Sequence, residues 1–514
     1  MKMLVKVFGS AISGITATTV CVEVSVDQGV GFFLVGLPDN AVKESYQRVS
    51  SALQCFGYKI PGKKIIINMA PADIRKEGSA YDLSIAMGIL AASEQTIAEG
   101  LSDYLIMGEL SLDGSLQPIK GALPIALEAK AQGFKGFILP NANAQEAAIV
   151  KGINVFGVDN ILEVINFFNG TNRLVPIEVD CDEVFKKGLD LYEFDFTDVR
   201  GQENVKRGME IAAAGSHNVI LIGPPGSGKT MLAKRLPSIL PPLSLDESLE
   251  TTKIHSVAGK MSKNTALVSV RPFRNPHHTI SDVALVGGGS YPQPGEISLS
   301  HNGVLFLDEL PEFKRNVLEV LRQPMEERQI TISRSKLSVQ YPASFMLVAA
   351  MNPCPCGYYN HPSVSCTCQP GSVSKYLNKI SGPLLDRIDI QIEVVPVPFK
   401  ELSAMRDGEP SVVIRERVLR ARKIQQERFK DIEYIHCNAQ MTPKMLKEYC
   451  KIGESGINLL KRAMEKLGLS ARAYDRILKV SRTIADLEAS ENIENSHLAE
   501  AIGYRSLDRE TWGR

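Results

Sequence analysis

The residues with the clearest chemical purpose lie in the stretch Gly223-Pro-Pro-Gly-Ser-Gly-Lys-Thr230, which directly follows the apolar run 219–222. Its spacing fits G-x-x-x-x-G-K-[ST]. Glycines let consecutive backbone N–H groups turn toward a phosphate chain, and a following helix adds its positive N-terminal end. Lys229 could then reach the β- and γ-phosphates, and the Thr230 hydroxyl could take one Mg²⁺ position. A plain Gly/Pro-rich turn is the alternative, but the strand before and the helix after favour a nucleoside triphosphate site. Its expected cofactor contacts are Gly223, Pro224, Pro225, Gly226, Ser227, Gly228, Lys229, Thr230 and Met231.

A second group suited to phosphate chemistry follows the apolar run 304–307, which is typical of a buried strand. At its carboxyl end, Asp308 could hold Mg²⁺ through water, and Glu309 could orient an attacking water. A strand that ends in two solvated acids is the alternative, but the preceding phosphate-loop motif favours catalysis. A third apolar run, 345–350, leads to Asn352, whose amide could hydrogen-bond the γ-phosphate or the water.

Four of the nine cysteines lie close together in two C-x-C pairs, Cys354, Cys356, Cys366 and Cys368. Four thiolates in two close pairs suit tetrahedral Zn²⁺, although the usual spacing is C-x₂₋₄-C. Unmetallated thiols or a redox pair are the alternatives, and His361 could substitute for one ligand. We expect a structural Zn²⁺ that folds a short insert.

Two other conspicuous stretches are not expected to bind ligands. The adjacent His277 and His278 should point apart, and no acidic residue or cysteine flanks them, so a metal site is disfavoured. The glycines 287–289 predict a mobile turn rather than a second phosphate loop, because no strand–helix junction surrounds them.

Bulk composition sets the class of protein. The 514 residues suggest about three domains, and 44% hydrophobic with 23% charged residues allows sizeable cores. The 58 Lys and Arg balance the 58 Asp and Glu, so nucleic-acid contact would need a local basic patch or a ring of copies. No apolar run reaches ~18 residues, and the first residues do not resemble a signal peptide. We expect a cytoplasmic protein without a membrane segment.

Residues 1–170 are predicted to form one α/β domain. Alternating valines between 20 and 26 and the run 64–68 are typical of strands, and apolar residues from 42 to 56 recur with a helical period. The segment resembles the Lon-protease-like (S5 domain 2-like) fold. Lon-type proteolysis needs a Ser–Lys dyad, but Ser79 falls one position early and Leu123 stands about where the lysine should be. We therefore expect a proteolytically inactive scaffold or binding domain.

The rest of the chain is expected to divide into three parts. Periodicity weakens and charges cluster over 171–195, which predicts a linker. Residues 196–398 form the predicted P-loop core, and residues 399–514 a helical lid. At the start of the core, the adenine is expected against Val199, Gly201 and Gln202.

Three stretches carry a more specific resemblance, RPFRNPHHT at 271–279, PGEISLS at 294–300 and SGPLLDRID at 381–389. They resemble the magnesium-chelatase-like AAA+ ATPases, and within them the ComM/YifB competence group. The similarity spans nearly the whole chain, including an N-terminal domain that we expect the chelatase subunit to lack, which favours the ComM/YifB branch. That group is understood as hexameric ATPases that move on DNA and drive branch migration during recombination.

The resemblance implies roles for individual residues. Arg387 matches the arginine finger, which reaches the nucleotide of a neighbouring subunit and stabilises the transferred phosphoryl group. Asn352 corresponds to sensor 1, and Arg472 to sensor 2 at the start of a lid helix. Either arginine could instead be a surface ion-pair partner. The expected catalytic residues are Lys229, Glu309, Asn352, Arg387 and Arg472.

The resemblance also implies a DNA contact. Residues 329–333 and 337–341 alternate around Arg334-Ser-Lys336 and match the pre-sensor-1 hairpin of this clade. Six copies lining a pore would meet a phosphate backbone through Arg334 and Lys336, and binding would be independent of sequence and sensitive to salt. A solvated turn is the alternative.

We therefore expect a homo-hexameric AAA+ motor that uses ATP and Mg²⁺ and acts on DNA, with recombination proteins as further partners. The first alternative is an ATPase that remodels a protein complex, as the chelatase subunit does. A Lon-like ATP-dependent protease is the second, and the missing dyad disfavours it.

Overall fold

The structure, a computed structural model, describes residues 4–181, 183–185, 192–262, 265–289, 292–334, 337–359, 361, 363–396, 408–432 and 435–505. The chain forms two compact units. One consists of Met1–Gly188 together with Ser244–Ser269. The other consists of Leu189–Leu243 and Val270–Arg514.

The first unit is built on a seven-stranded mixed sheet with the order β3-β4-β2-β1-β5-β8-β9. β1, β2 and β4 pair antiparallel, and the remaining neighbours in this sheet pair parallel. The sheet strands are β1 Leu4–Ser13, β2 Thr16–Asp27, β3 Gly31–Val35, β4 Lys64–Ala70, β5 Tyr104–Ile106, β8 Gly136–Pro140 and β9 Asn154–Val158. A small antiparallel pair adds β6 Glu109–Leu110 and β7 Leu116–Gln117.

The helices of this unit are α1 Asn40–Lys43, α2 Ser45–Cys55, α3 Asp82–Ala92, α4 Ala122–Ala131, α5 Asn141–Ala148 and α6 Ile161–Phe168. Helix α3 is buried over its whole length, which agrees with its nearly continuous apolar sequence. A Cβ at Gly88 would lie 2.6 Å from Val24 Cγ2, so the helix packs too closely on β2 for any larger residue. Leu123, at the position expected for a protease lysine, is buried, and the Lys76 ammonium donates to the Pro71 carbonyl.

Two segments belong to the first unit although local sequence patterns did not predict this. Within the predicted linker, Leu174 is buried in the core and the Ile177 N–H donates to the Val155 carbonyl at 2.9 Å. Residues 244–269, expected within the ATPase core, contribute α9, Leu245–Val257, which begins with a capping box between Ser244 and Glu247. The compact N-terminal unit thus includes residues beyond the predicted range 1–170, and the predicted functional limits stay predictions.

The second unit contains a five-stranded, fully parallel sheet with the order β11-β14-β17-β10-β18. Its strands are β10 Val219–Ile222, β11 Phe273–Arg274, β14 Val304–Leu307, β17 Met346–Met351 and β18 Ile390–Glu393. β10, β14 and β17 are buried throughout, which explains their uninterrupted apolar sequences. Because neighbouring parallel strands end at one edge, the residues that follow these three strands meet there.

Helices and hairpins surround this sheet. The helices that precede the C-terminal bundle are α7 Glu203–Gly215, α8 Lys229–Ile239, α10 Asp282–Val286, α11 Glu296–Leu299, α12 Arg315–Glu319, α13 Arg322–Glu327, α14 Ser372–Leu377 and α15 Gly382–Leu385. Two antiparallel hairpins are formed by β12 Gly287–Gly288 with β13 Gln293–Pro294 and by β15 Gln329–Arg334 with β16 Leu337–Pro342. The first two of the glycines expected to form a mobile turn are therefore paired strand residues. The hairpins contact each other, since the Tyr341 hydroxyl donates to the Pro292 carbonyl at 2.8 Å.

The C-terminal residues form a helical bundle, as the sequence predicted, with α16 Ser411–Phe429, α17 Pro443–Tyr449, α18 Glu454–Leu467, α19 Ala471–Leu487 and α20 Asn495–Gly503. In α19, Ile477, Val480 and Ile484 are buried. Throughout the chain's described ranges, we find no helix that combines the length and the hydropathy needed to cross a membrane.

Candidate functional site

The phosphate-loop motif leads from the buried strand β10 into α8. Gly226 and Gly228 have φ of 78° and 91°, left-handed values that favour glycine. A Cβ at Gly223 would lie 2.3 Å from the Val394 carbonyl oxygen, so that position also requires glycine. The loop formed by residues 223–228 therefore turns tightly at the N-terminus of α8, which suits an anion.

Lys229 points back into this loop. Its ammonium donates to the carbonyls of Gly223 and Pro224 at 2.8 and 3.0 Å, and to Asn352 Oδ1 at 3.1 Å. Burial lowers the pKa of Lys229, and the nearby Asp308 partly opposes that shift. The structure thus brings together the predicted phosphate lysine and the predicted sensor amide, from elements far apart in the chain.

The hydroxyl of Thr230 donates to Asp308 Oδ2 at 2.7 Å. Asp308 Oδ1 accepts the Glu309 backbone N–H at 2.9 Å. A hydroxyl and a carboxylate at this distance are the hard oxygen donors that Mg²⁺ prefers. The donor chemistry of Thr230 and Asp308 therefore fits the Mg²⁺ that would accompany a triphosphate.

Glu309 begins a tight turn directly after β14. Its backbone is left-handed, with φ 54° and ψ 47°, a conformation that is uncommon for a non-glycine residue and frequent at functional sites. Its carboxylate is 57% exposed, and Oε2 lies 3.1 Å from His278 Nδ1. The exposed carboxylate next to Asp308 is placed to orient a water.

The His278 contact was missed by sequence reasoning. The rings of His277 and His278 lie side by side, with centroids 4.1 Å apart, so the expectation that they point apart was wrong. The acidic partner of His278 is supplied by the Glu309 turn rather than by flanking residues. The signal available was the motif at 271–279, which the resemblance singled out without a chemical role.

Asn352 follows β17, and a tyrosine of α14 lies near it. Burial raises the pKa of Tyr376, and the nearby Glu312 adds to that effect, so the hydroxyl stays neutral. The Asn352 backbone N–H partly opposes this rise in the pKa of the Tyr376 hydroxyl. Tyr376 is thus a buried polar side chain near the predicted sensor amide, and sequence reasoning missed it.

The residues expected near the adenine differ in their surroundings. Gln202 Nε2 donates to the carbonyls of Ser227 and Val395 at 3.1 and 3.2 Å, which places it against the phosphate loop. Gly201 precedes it with φ 65°. Val199 is fully buried in the core of the second unit.

The polar contacts seen for the two predicted arginines, among the described residues, are not with the residues around Lys229. Arg387 is 5% exposed, with Nη1 donating to the Pro383 carbonyl at 2.6 Å and Nη2 lying 2.5 Å from Glu326 Oε1. The Arg472 side chain is 57% exposed and lies 3.9 Å from Asp386. Arg387 stays a predicted arginine finger, and Arg472 stays a predicted sensor 2.

The segment that carries Arg387 is fixed to β10 through a buried carboxylate. Asp389 Oδ2 accepts the Asn218 backbone N–H at 3.1 Å, and Arg476 of α19 lies 3.1 Å from Asp389 Oδ1. Burial opposes ionisation of Asp389, but Arg476 and His217 hold its pKa well below the usual range. This charge network ties the start of the phosphate-loop strand to the lid.

The four clustered cysteines converge directly after Asn352. Their Sγ atoms all lie within 4.8 Å of one another, with separations of 3.3 Å for Cys354 and Cys356, 3.8 Å for Cys354 and Cys366, and 3.5 Å for Cys356 and Cys366. A tetrahedral centre with Zn–S bonds of ~2.3 Å has sulfur–sulfur distances of about 3.8 Å. The Cys356 N–H also donates to Cys368 Sγ at 3.4 Å. The donor set therefore fits Zn²⁺.

The cysteine-rich loop is packed on the phosphate loop. Gly357 has φ 87°, and a Cβ there would lie 2.5 Å from Pro225 Cδ. His361 accepts backbone N–H groups of its own loop at Nδ1, from Ser363 and Val364 at 3.2 and 3.0 Å. That nitrogen is thus engaged within the loop, and the four thiols form the candidate ligand set.

The predicted DNA contacts lie at the tip of the β15–β16 hairpin. Its strands pair in register from Gln329 opposite Pro342 to Arg334 opposite Leu337. The side chain of Arg334 and the whole of Lys336 lie outside the described residues. The hairpin itself was predicted from its alternating sequence, and the structure confirms it.

Comparison with known proteins covers nearly the whole chain. The family model for magnesium chelatase, subunit ChlI, matches residues 195–402, and a model for its C-terminal part matches residues 408–505. A further model, for subunit ChlI of Mg-chelatase, matches residues 22–143. An N-terminal segment that we expected the chelatase subunit to lack is thus matched by a model that carries its name.

Individual relatives separate the branches more clearly. The competence protein ComM of Haemophilus influenzae is 46% identical over 98% of this chain and 97% of its own length. The uncharacterized protein YifB of Escherichia coli is 45% identical over 96% of both chains. The magnesium-chelatase 38 kDa subunit of Rhodobacter capsulatus is 26% identical over 31% of this chain and 50% of its own length. This chain belongs to the ComM/YifB group of the magnesium-chelatase-like AAA+ ATPases, a family whose members use ATP and Mg²⁺.

Proposed function

We propose that this protein is an ATP-driven motor that assembles as a ring, as a homo-hexamer, and moves DNA strands to promote branch migration or unwinding in the cytoplasm. The observation that carries the proposal is the convergence of Lys229, Thr230, Asp308, Glu309 and Asn352 at one sheet edge, in a chain similar to the competence protein ComM over its full length. These residues would carry out ATP hydrolysis, and the similarity to ComM favours DNA as the substrate.

Each residue would act on the nucleotide in a distinct way. Lys229 would exchange its carbonyl partners for the β- and γ-phosphates, and Thr230 and Asp308 would hold Mg²⁺. Bound Mg²⁺ would neutralise charge on the phosphates. Glu309 would orient the attacking water, and the Asn352 amide would contact the γ-phosphate or that water.

The ring is part of the proposal because an arginine finger at Arg387 would act on the nucleotide of a neighbouring copy. An arginine finger stabilises charge on the transferred phosphoryl group and is supplied here by a neighbouring copy. The hairpin residues Arg334 and Lys336 would then face DNA from each copy. The contact would be with phosphates, so affinity would fall with salt.

We also propose that Cys354, Cys356, Cys366 and Cys368 bind one structural Zn²⁺. The support is their mutual distance and the Cys356 N–H bond to Cys368 Sγ. Bound zinc would fix the loop between Asn352 and α14 and hold Gly357 against the phosphate loop. Paired thiols remain the alternative.

The decisive experiment is branch migration on a synthetic three- or four-stranded junction by the purified full-length protein with ATP and Mg²⁺. We expect strand exchange that requires ATP, together with ATPase activity that DNA stimulates and salt reduces. Arg334 and Lys336 changed together to Ala should weaken DNA binding while basal ATPase activity remains. Unchanged DNA affinity in that variant would contradict the proposed contact between the hairpin and DNA.

The second candidate function is remodelling of a protein complex, favoured by the similarity to the magnesium-chelatase 38 kDa subunit. ATPase activity that ignores DNA and depends on a large partner protein would support it. Such a result would contradict the motor on DNA and leave the nucleotide site intact.

A further inference from the structure

The position of Arg387 does not suit an arginine finger at rest. A finger must leave its own subunit, yet Arg387 is 5% exposed and ion-paired to Glu326 of the same chain at 2.5 Å. Its Nη1 is also bound, to the Pro383 carbonyl. If Arg387 acts in trans, the Glu326 contact must be broken first.

Not every N–H group of the Arg387 guanidinium has a hydrogen-bond acceptor in the present position. Its Nε is buried and has no hydrogen-bond partner among the described residues. Arginine offers five N–H donors in a planar fork, and buried donors normally all find acceptors. The Arg387 guanidinium could therefore donate more hydrogen bonds to another acceptor, such as anionic phosphate oxygens, than it does in this position.

The backbone under Arg387 is firmly held, so only the side chain is free to change partner. The Arg387 carbonyl accepts from Asn218 Nδ2 at 3.1 Å, and its neighbour Ile388 is fully buried. Asn218 in turn holds β17 through Leu347 N–H at 2.9 Å. A rotamer change at Arg387 thus needs no movement of the parallel sheet.

Glu326 is the solvent-facing member of this ion pair. Its side chain is 48% exposed, so water and salt screen this end of the pair, as they do in exposed ion pairs. It is the fifth residue of the short helix α13, which ends at Glu327. A competing triphosphate would therefore displace this carboxylate readily.

Glu326 also lies beside the base of the hairpin. Arg328 follows α13 with φ 56°, and its carbonyl accepts the Ala343 N–H at 2.8 Å, which joins the two ends of the β15–β16 hairpin. Only Glu327 separates Glu326 from this closing residue. Displacement of the hairpin strands would consequently move Glu326 relative to the fixed backbone of Arg387.

We propose that Glu326 is a positioning residue that holds Arg387 inside its own chain and that movement of the β15–β16 hairpin releases it toward the nucleotide of the neighbouring copy. This inference rests on the proposed function, because it needs a ring and a substrate that moves the hairpin. It adds a physical route by which substrate binding controls the rate of hydrolysis.

The test is ATPase turnover of full-length Glu326→Gln with and without a single-stranded oligonucleotide. The neutral amide keeps the shape of the side chain and removes the ionic hold. We expect DNA-free turnover to rise about fivefold, the range of an exposed ion pair, and the stimulation by DNA to shrink by the same factor. Glu327→Gln is the matched control, since that carboxylate accepts from Gln323 and should leave both rates unchanged.

A double variant separates this role from a merely structural one. The ATPase turnover of Glu326→Gln combined with Arg387→Ala should be as slow as that of Arg387→Ala alone. The reason is that the double variant has no arginine at position 387 to release. Glu326→Asp, whose shorter side chain weakens the contact, should raise DNA-free turnover to a smaller extent and serves if the Gln variant fails to fold.

Two results would overturn the inference: a folded Glu326→Gln protein with wild-type rates, or one with lower DNA-free turnover, while Arg387→Ala is inactive. Wild-type turnover in Arg387→Ala would instead contradict the arginine finger in the proposed function. The two failures are thus distinguishable.

Discussion

His278 Nδ1 lies 3.1 Å from Oε2 of Glu309, the carboxylate assigned to water activation. The histidine ring has two aromatic neighbours, with His277 tilted beside it and Phe313 edge-on at 6.4 Å between centroids. The Glu309 side chain is 57% exposed, so little packing of its own holds it in place. The imidazole is therefore the group that fixes the direction of this exposed carboxylate.

His278→Ala should lower kcat for ATP hydrolysis by roughly ten- to hundredfold, because an unheld carboxylate is misaligned with the attacking water. The KM for ATP should change little, since no phosphate contact is removed. His278→Asn, which retains a hydrogen-bond donor, should recover part of the activity. His277→Ala is the control; a loss in kcat equal to that of His278→Ala would contradict the assignment.

Lys229→Ala and Glu309→Gln should separate binding from chemistry. The first removes the ammonium that faces the phosphates, so ATP binding measured with a fluorescent analogue should be lost. The second removes the base but keeps the phosphate loop, so ATP should bind normally while kcat falls about a hundredfold or more. Wild-type turnover in Glu309→Gln would show that another group orients the water.

Metal analysis should find about one Zn²⁺ per chain in the purified protein. Cys366→Ser should lose the metal and lower the melting temperature, because the loop after Asn352 is then unpinned next to the phosphate loop. Cys55→Ser, an exposed thiol outside the cluster, should retain both. A fully folded, metal-free wild type with four titratable thiols would argue for unmetallated cysteines.

Arg48→Met should destabilise the N-terminal unit. Arg48 donates to both oxygens of Asp82, at 2.6 and 2.9 Å, and the carboxylate is 1% exposed. Removing one member of a buried ion pair costs about 3–5 kcal/mol. Hydrogen–deuterium exchange over α3 should reveal the loss, and Arg48→Met combined with Asp82→Asn should restore most of the protection.

The same variant should depend on pH in a defined direction. Burial already raises the pKa of Asp82 to about 6, although Arg48 opposes this, and loss of Arg48 removes that opposition. An acid with a raised folded pKa binds its proton more tightly when folded, so stability is present at low pH and is lost as pH rises through that value. The destabilisation should therefore be smaller at pH 5 than at pH 8. A penalty independent of pH would mean that Asp82 stays neutral.

Local pattern was sufficient wherever an element carries its own signal. The strand before the phosphate loop, the strand before Asp308 and the hairpin around 334–336 were predicted because each has an uninterrupted apolar run or a strict alternation. The convergence of Lys229 with Asn352 followed from parallel strands ending at one edge. Residue types at the ends of buried strands were enough to predict side chains that the structure brings together.

What sequence reasoning missed depends on tertiary partners. Nothing near His278 indicates Glu309, and nothing near Arg387 indicates Glu326, since both carboxylates come from other elements. Helix α9 has a clear local start at Ser244, but its sequence does not say which unit it packs on. Such contacts depend on the tertiary fold, and the local sequence pattern of one element does not indicate them.

The assignment of Ser244–Ser269 to the N-terminal unit means that the polypeptide passes between the two units three times. A single cut after residue 188 would leave Ser244–Ser269 of the N-terminal unit covalently attached to the rest of the chain. A gene truncated after residue 188 would encode the N-terminal unit without that segment, so the truncated unit would lack part of its own packing. A hybrid protein that replaces the N-terminal unit would therefore need both of its segments to be exchanged together.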